Sequence, residues 1–131
     1  MSGALRILVV EDDPLSQKLC RFVLGGRGHE VRMAATVSEG LVCAREFTPD
    51  LVVCDLKLPG GGGETFLREF RQLPGMERVP VVAATAQAMR GDRERVLEAG
   101  FDGYFSKPID TRTFGPELEA VALRAAELRP H

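Results

Sequence analysis

The sequence has no excess of basic residues, no long apolar run, and few of the sulfur and imidazole groups that bind transition metals. Its 17 Lys and Arg against 19 Asp and Glu leave a formal net charge of −2 over 131 residues. Bulk charge therefore gives no support for nucleic-acid binding. No stretch approaches the roughly 18 apolar residues that a membrane span needs. The opening Met1-Ser2-Gly3-Ala4 runs straight into a strand-like segment and does not read as a secretory leader. Cys20, Cys43 and Cys54 are odd in number, widely spaced and each set among apolar residues. They read as buried reduced thiols of a cytoplasmic protein. No Gly-Lys-Ser/Thr follows the glycine tract Gly60–Gly63, which argues against a P-loop and for a tight loop. No internal repeat or low-complexity segment stands out. The length suits one domain over 1–131 with its own core.

What is present is alternation. Five runs read as strands: Leu5–Val10, Glu30–Ala34, Leu51–Cys54, Val79–Ala84 and Gly103–Phe105. The first, third and fourth are nearly all apolar, as central strands covered on both faces should be. Helical patterns separate them, which predicts an α/β fold with a parallel sheet. Pro14 fits the first turn of the first helix with Asp13 as cap, and Leu15, Leu19, Phe22 and Val23 are expected to face inward. Thr36 and Glu39 form a capping-box pattern ahead of Val37, Leu41, Ala44 and Phe47. The third helix should span 64–72 and bury Phe66, Leu67 and Phe70. In the fourth, Asp92 is expected to cap, with Val96, Leu97 and Ala99 inward and Gly100 as terminator. Gly115-Pro116 predicts a turn over Asp110–Phe114 and a last helix from about Pro116, with Leu118, Val121, Ala122, Ala125 and Leu128 as its apolar stripe.

The chemistry lies at the strand ends. Asp55 closes Leu51-Val52-Val53-Cys54, and Glu11-Asp12-Asp13 closes the first apolar run. In open α/β sheets the carboxyl edge is where ligands bind. An aspartate is a weak nucleophile toward phosphorus, and both partners are anionic, so the repulsion must be neutralised and the groups held in line. Mg²⁺ suits this, because it takes oxygen ligands beside one or two carboxylates and retains waters. Asp12 and Asp55 are the expected direct ligands, Glu11 acts through water, and a backbone carbonyl just after Asp55 completes the set. Lys107 supplies a fixed positive charge for a phosphate oxygen and Thr85 a rotatable hydroxyl. Pro108 allows a cis bond that would aim Lys107 into the crevice.

Four motifs carry a resemblance: Ile7 to Pro14, Pro49 to Gly60, Val81-Val82-Ala83-Ala84-Thr85-Ala86, and Tyr104-Phe105-Ser106-Lys107-Pro108. From Ile7 to about Leu128 the chain resembles the response-regulator receiver domains, the family of the chemotaxis protein CheY. The stretch Thr85 to Arg95 is similar to receivers of hybrid histidine kinases and of single-domain DivK-like regulators. The resemblance implies a (βα)₅ doubly wound, three-layer fold of the CheY and flavodoxin kind, with five parallel strands in the order 2-1-3-4-5. It implies phosphorylation of Asp55 in a two-component system or phosphorelay, with Mg²⁺ held by Asp12, Asp55 and the Lys57 carbonyl. Thr85 and Lys107 would contact the phosphoryl group, and Tyr104 would turn when Thr85 moves. Lys57 and Gln87 would flank the phosphoryl oxygens and set their lifetime.

Two residues depart from the family pattern. Gly62-Gly63 stands where Asp-Gly is frequent, so a looser loop into the third helix is expected, and Lys57 is an uncommon residue two after the phosphoacceptor. The implied partners are a sensor histidine kinase or histidine phosphotransfer protein as donor, since His29 and His131 lack a relay context. The output is a downstream protein or a second copy, bound through the surface of the fourth helix, fifth strand and fifth helix. Apart from catalysing its own phosphotransfer and autodephosphorylation, the chain is not expected to be an enzyme. A haloacid-dehalogenase-type phosphatase would need a second Asp where Lys57 stands, and an acidic crevice disfavours a flavin phosphate. A receiver-like adaptor that works without phosphorylation is the alternative, although such proteins commonly lose one of the acidic, Thr or Lys residues kept here.

Overall fold

The computed structural model describes residues 4–86 and 91–128. Among these, strands β1 (Arg6–Val10), β2 (Glu30–Ala34), β3 (Leu51–Asp55), β4 (Val81–Thr85) and β5 (Gly103–Ser106) alternate with helices α1 (Pro14–Gly26), α2 (Val37–Phe47), α3 (Gly62–Phe70), α4 (Asp92–Glu98) and α5 (Phe114–Leu128). Every neighbouring pair is parallel and the order is β2-β1-β3-β4-β5. The parallel α/β sheet expected from the alternation, and the doubly wound (βα)₅ order implied by the resemblance, are both observed.

Side-chain alternation along the strands divides the core in two. Leu8, Val10, Val52, Cys54, Val81 and Ala83 meet Ala44 and Phe47 of α2, Phe66 and Phe70 of α3, and Val96 of α4. Ile7, Val9, Leu51, Val53, Val82 and Ala84 meet Cys20, Val23 and Leu24 of α1 and Phe114, Leu118 and Val121 of α5. Phe66 and Phe70 stack with centroids 5.4 Å apart, one helical turn from each other. Both rings are fully buried, and burial of such a side chain contributes roughly 1.5–3 kcal/mol.

The local signals mostly hold. Asp13 accepts from the Ser16 N–H at 2.9 Å and Pro14 opens α1. Thr36 accepts from the Glu39 N–H at 3.1 Å, and Glu39 reaches back to the Ala35 N–H at 2.9 Å. Three expectations are corrected. In α1 the buried residues are Cys20, Val23 and Leu24, whereas Leu15 and Phe22 are 63% and 77% exposed. The helix carries apolar residues around most of its circumference, and docking on the sheet beside α5 selects the neighbouring face. In α4, Asp92 is the first helical residue rather than the cap, which is Gly91 at φ +86°, and Val96 alone is buried while Leu97 and Ala99 face outward. α5 begins at Phe114, two residues ahead of Pro116. The first four N–H groups of a helix have no partner within it, so proline costs nothing there. Leu118 and Val121 are buried, and Ala122 and Ala125 are half-buried, as expected; the side chain of Leu128 lies outside the described residues.

At the sheet end away from the β3 carboxyl edge, His29 Nδ1 accepts from the Leu5 N–H at 3.0 Å. Its Nε2 is therefore free to donate to Glu119 Oε2, 2.7 Å away. Arg27 binds the same carboxylate through Nε and a terminal nitrogen at 2.6 and 2.7 Å. Arg27 and His29, which lie between α1 and β2, are thus tied to α5 through residues some 90 positions apart in the sequence.

Candidate functional site

Parallel pairing sets the acidic residues side by side. Val10 is in register with Cys54 and Asp55 with Ala84, so Glu11, Asp55 and Thr85 leave three adjacent strands at one edge. Glu11, Asp55 and Thr85 are buried, whereas Asp12 is exposed. One carboxylate oxygen from each of Glu11, Asp12 and Asp55 can be chosen so that all three lie within 4.8 Å of one another. Ligands on a single Mg²⁺ sit roughly 3–4 Å apart, so this donor set fits a hard divalent cation after a small closure.

Lys107 follows β5 and reaches into the same place. Its Nζ is 2.8 Å from Glu11 Oε1 and 3.1 Å from Asp55 Oδ2. The Lys107–Pro108 bond is cis, the isomer that the sequence permits. The remaining oxygens are also engaged: Glu11 Oε2 accepts from the Asp13 N–H at 2.9 Å, and Asp55 Oδ1 from the Lys57 N–H at 3.1 Å. Burial pushes the Glu11 carboxyl above its ordinary range against the opposing pull of Lys107, and the Asp55 charge pushes the same way. Burial also acts to lower the Lys107 ammonium, but its bonds to Glu11 and Asp55 outweigh this and hold it above its usual value. The resting crevice is therefore a cluster of three carboxylates, two of which, Glu11 and Asp55, are bound to one lysine.

The glycine tract shapes the neighbouring wall. Gly60, Gly61 and Gly62 have φ of +96°, +127° and +85°, a region in which other residues are strained. A Cβ on Gly63 would lie 2.6 Å from the Asp55 carbonyl oxygen and 3.0 Å from Leu56 Cα, so only glycine fits beside the Asp55 backbone. The loop is closed by bonds from the Gly62 N–H to Leu58 O at 3.1 Å and the Gly63 N–H to Leu56 O at 2.9 Å. These two bonds tie Gly62 and Gly63 back to the segment that follows β3.

Next to the acidic cluster lies a cleft of about 260 Å³, bordered by Lys57, the glycines Gly61–Gly63, Glu64, Thr85, Asp92 and Arg95. Lys57 is exposed at its rim. Arg95 binds Asp92 at 2.8 Å and approaches Glu64 at 3.8 Å. Sequence reading missed this arrangement. Opposite charges three apart on α4 were a usable signal, whereas the approach of α3 to α4 was not. Tyr104 of β5 packs against the core beneath α2–α4, and its hydroxyl is buried with no hydrogen-bond partner among the described residues. Gln87 lies outside the described residues. The structure thus brings Glu11, Asp12, Asp55 and Lys107 together, sets Thr85 and Lys57 on the adjoining cleft, and places Tyr104 one strand away.

Comparisons with known proteins point to one family. The family model described as the response regulator receiver domain matches residues 7–118. The polar-differentiation response regulator DivK of Brucella ovis is 36% identical over 108 residues, covering 82% of this chain and 88% of DivK. The receiver domain of the sensor histidine kinase PA1611 from Pseudomonas aeruginosa, solved with magnesium coordinated in its active-site cleft, superposes with a TM-score of 0.81 at 32% identity, covering 91% and 98% of the two chains. A CheY-like receiver protein from Methanospirillum hungatei superposes with a TM-score of 0.83 at 27% identity, covering 95% and 98%.

Proposed function

Because this chain belongs to the response-regulator receiver family of two-component signalling, we propose that it accepts a phosphoryl group from a phosphohistidine onto Asp55. An Asp55 carboxylate oxygen attacks phosphorus, the phosphorus–nitrogen bond breaks, and the electron pair and a proton remain with the donor imidazole. The observation that carries this reading is the convergence of Glu11, Asp12, Asp55 and Lys107 at one sheet edge. Asp12 and Asp55, with the Lys57 carbonyl, would hold Mg²⁺, and Glu11 would hold it through water. The ion supplies charge neutralisation between nucleophile and phosphoryl group. Lys107, already shared between Glu11 and Asp55, can pass from the carboxylates to a phosphoryl oxygen. Thr85, at the end of the adjacent strand, offers its hydroxyl to another.

The new group adds a charge of roughly −1.5 to −2. Drawing Thr85 inward would free space for Tyr104 to turn and change the α4-β5-α5 surface, which would then bind a downstream protein or a second copy. The donor, a histidine kinase or phosphotransfer protein, must bring its imidazole over Asp55. α1 starts directly after Asp12 and Asp13, and it exposes Leu15 and Phe22 on a stripe continued by half-buried Leu19. This apolar stripe at the crevice edge is a surface on which such a donor can dock.

Incubation with acetyl phosphate or phosphoramidate and Mg²⁺, followed by mapping of the modified residue by mass spectrometry, tests the central claim. Labelling is expected on Asp55 alone and should vanish with EDTA. Equal labelling of Asp55→Asn overturns it.

A further inference from the structure

We propose that Glu64 and Arg95 form an ion-pair strap across the mouth of the cleft beside Asp55, and that this strap prolongs the life of the phosphoryl group. The inference rests on phosphorylation of Asp55. It begins from the glycine tract. Gly61, Gly62 and Gly63 form one wall of the cleft without contributing any side chain to fill it. The floor is Thr85, which is buried and stands beside the proposed phosphoryl position. A space of about 260 Å³ has room for several waters, since each takes roughly 30 Å³ in the liquid. Among the described residues, the glycine wall offers no side chain to cover a phosphoryl group that reaches Thr85 from this side.

The first side chain after the tract is Glu64. Across the gap is Arg95, on the second turn of α4. Asp92 fixes the guanidinium from one side at 2.8 Å, and its own side chain is 14% exposed, so it is a seated anchor rather than a surface charge. Glu64 lies on the other side at 3.8 Å. The Asp92–Arg95–Glu64 series therefore runs from α4 to α3 over a cleft whose glycine wall cannot close it. Lys57, at the same rim, leaves two cations and two carboxylates around the opening. Arg95 is a positioning residue in this scheme. It ties α4 to the first turn of α3 and narrows the path of water, without touching the reacting atoms.

The outer link is exposed on both partners, 61% for Arg95 and 54% for Glu64, and exposed pairs are modest and screened by salt. The effect on hydrolysis should accordingly be about two- to fivefold. Wild type, Glu64→Gln, Arg95→Gln, the double variant and Arg95→Lys would each be loaded with phosphoramidate and Mg²⁺. After donor removal the decay of phospho-Asp55 is followed at low and high salt. Each neutralised single variant is expected to lose label about two- to fivefold faster, and the double variant no faster than either. Arg95→Lys should remain near wild type, and high salt should speed decay of wild type but not of the double variant. Wild-type decay in both single variants, or a double variant whose acceleration is the product of the two, would overturn the strap. A wild-type chain that takes no label would instead overturn the phosphoacceptor reading beneath it.

Discussion

The Lys107 ammonium lies 3.1 Å from Asp55 Oδ2 while holding Glu11 Oε1 at 2.8 Å. One cation thus serves two members of a three-carboxylate cluster and leaves negative charge in excess. Asp12→Asn should therefore raise Tm in EDTA, by an amount worth about 1 kcal/mol or less because Asp12 is exposed. In wild type, Mg²⁺ at ten times its Kd should add about 1.4 kcal/mol, and Asp12→Asn should lose most of that gain. Thermal melts with and without Mg²⁺ measure both effects. An undiminished Mg²⁺ response in Asp12→Asn would remove Asp12 from the ligand set.

Leu15 and Phe22 face solvent on α1. Leu15→Ser with Phe22→Ser should leave the fold and labelling by acetyl phosphate unchanged. Transfer from a phosphorylated histidine protein should slow by tenfold or more, as expected when about 1.4 kcal/mol or more of docking energy is lost. Equal transfer rates from the protein donor would show that the stripe is not the docking surface.

Lys57 stands at the rim of the cleft while its backbone N–H binds Asp55 Oδ1 at 3.1 Å. A long cationic side chain lying over the phosphoryl group would exclude the in-line water that hydrolysis needs. Lys57→Asn should speed autodephosphorylation by about fivefold, equivalent to about 1 kcal/mol, and Gln87→Ala should change it less. Decay of ³²P label with Mg²⁺ present decides the sign. Slower or unchanged decay in Lys57→Asn would mean that the lysine acts only through its backbone.

The Tyr104 hydroxyl is buried without a partner among the described residues, an arrangement that costs about 1–3 kcal/mol. Tyr104→Phe should be as stable as the unphosphorylated wild type or more stable by about 1 kcal/mol. In wild type, beryllofluoride should shift the NMR signals of Thr85, Tyr104 and the α4-β5-α5 surface. A marked loss of stability in Tyr104→Phe, or silent signals across 91–110, would count against a phenol poised to move.

Arg27, followed by His29, holds the Glu119 carboxyl down at about 2. Its ionised form is the one bound in the folded chain, so its contribution is complete above the ordinary carboxyl range near 4.5 and is lost as pH falls through about 2. Glu119 and Arg27 are partly exposed, and after allowance for screening the contribution is about 1 kcal/mol, or ~4 °C in Tm. Glu119→Gln should lower Tm at pH 6 and flatten the decline between pH 4.5 and 2. Parallel acid profiles for the two proteins would refute the assignment.

The amino-acid order by itself determined the alternation of apolar strand runs with capped helices, and with it a parallel sheet whose central strands are covered on both faces. Parallel strands buried on both faces need continuous apolar runs, and Ile7–Val10, Leu51–Cys54 and Val81–Ala84 have them. It also marked Glu11, Asp12, Asp55, Thr85 and Lys107, because a polar residue that ends such a run has to emerge at the sheet edge. Local order could not choose the buried face of α1, where Leu15, Leu19 and Phe22 compete with Cys20 and Leu24 at the same helical period. Nor could it show that Gly63 abuts the Asp55 carbonyl, that Arg27 and His29 share Glu119, or that Arg95 reaches Glu64. Those pairings join segments distant in the chain. They exist because parallel strands with right-handed crossovers bring particular helix faces and loops together, and only the packed tertiary structure decides which side chains then meet.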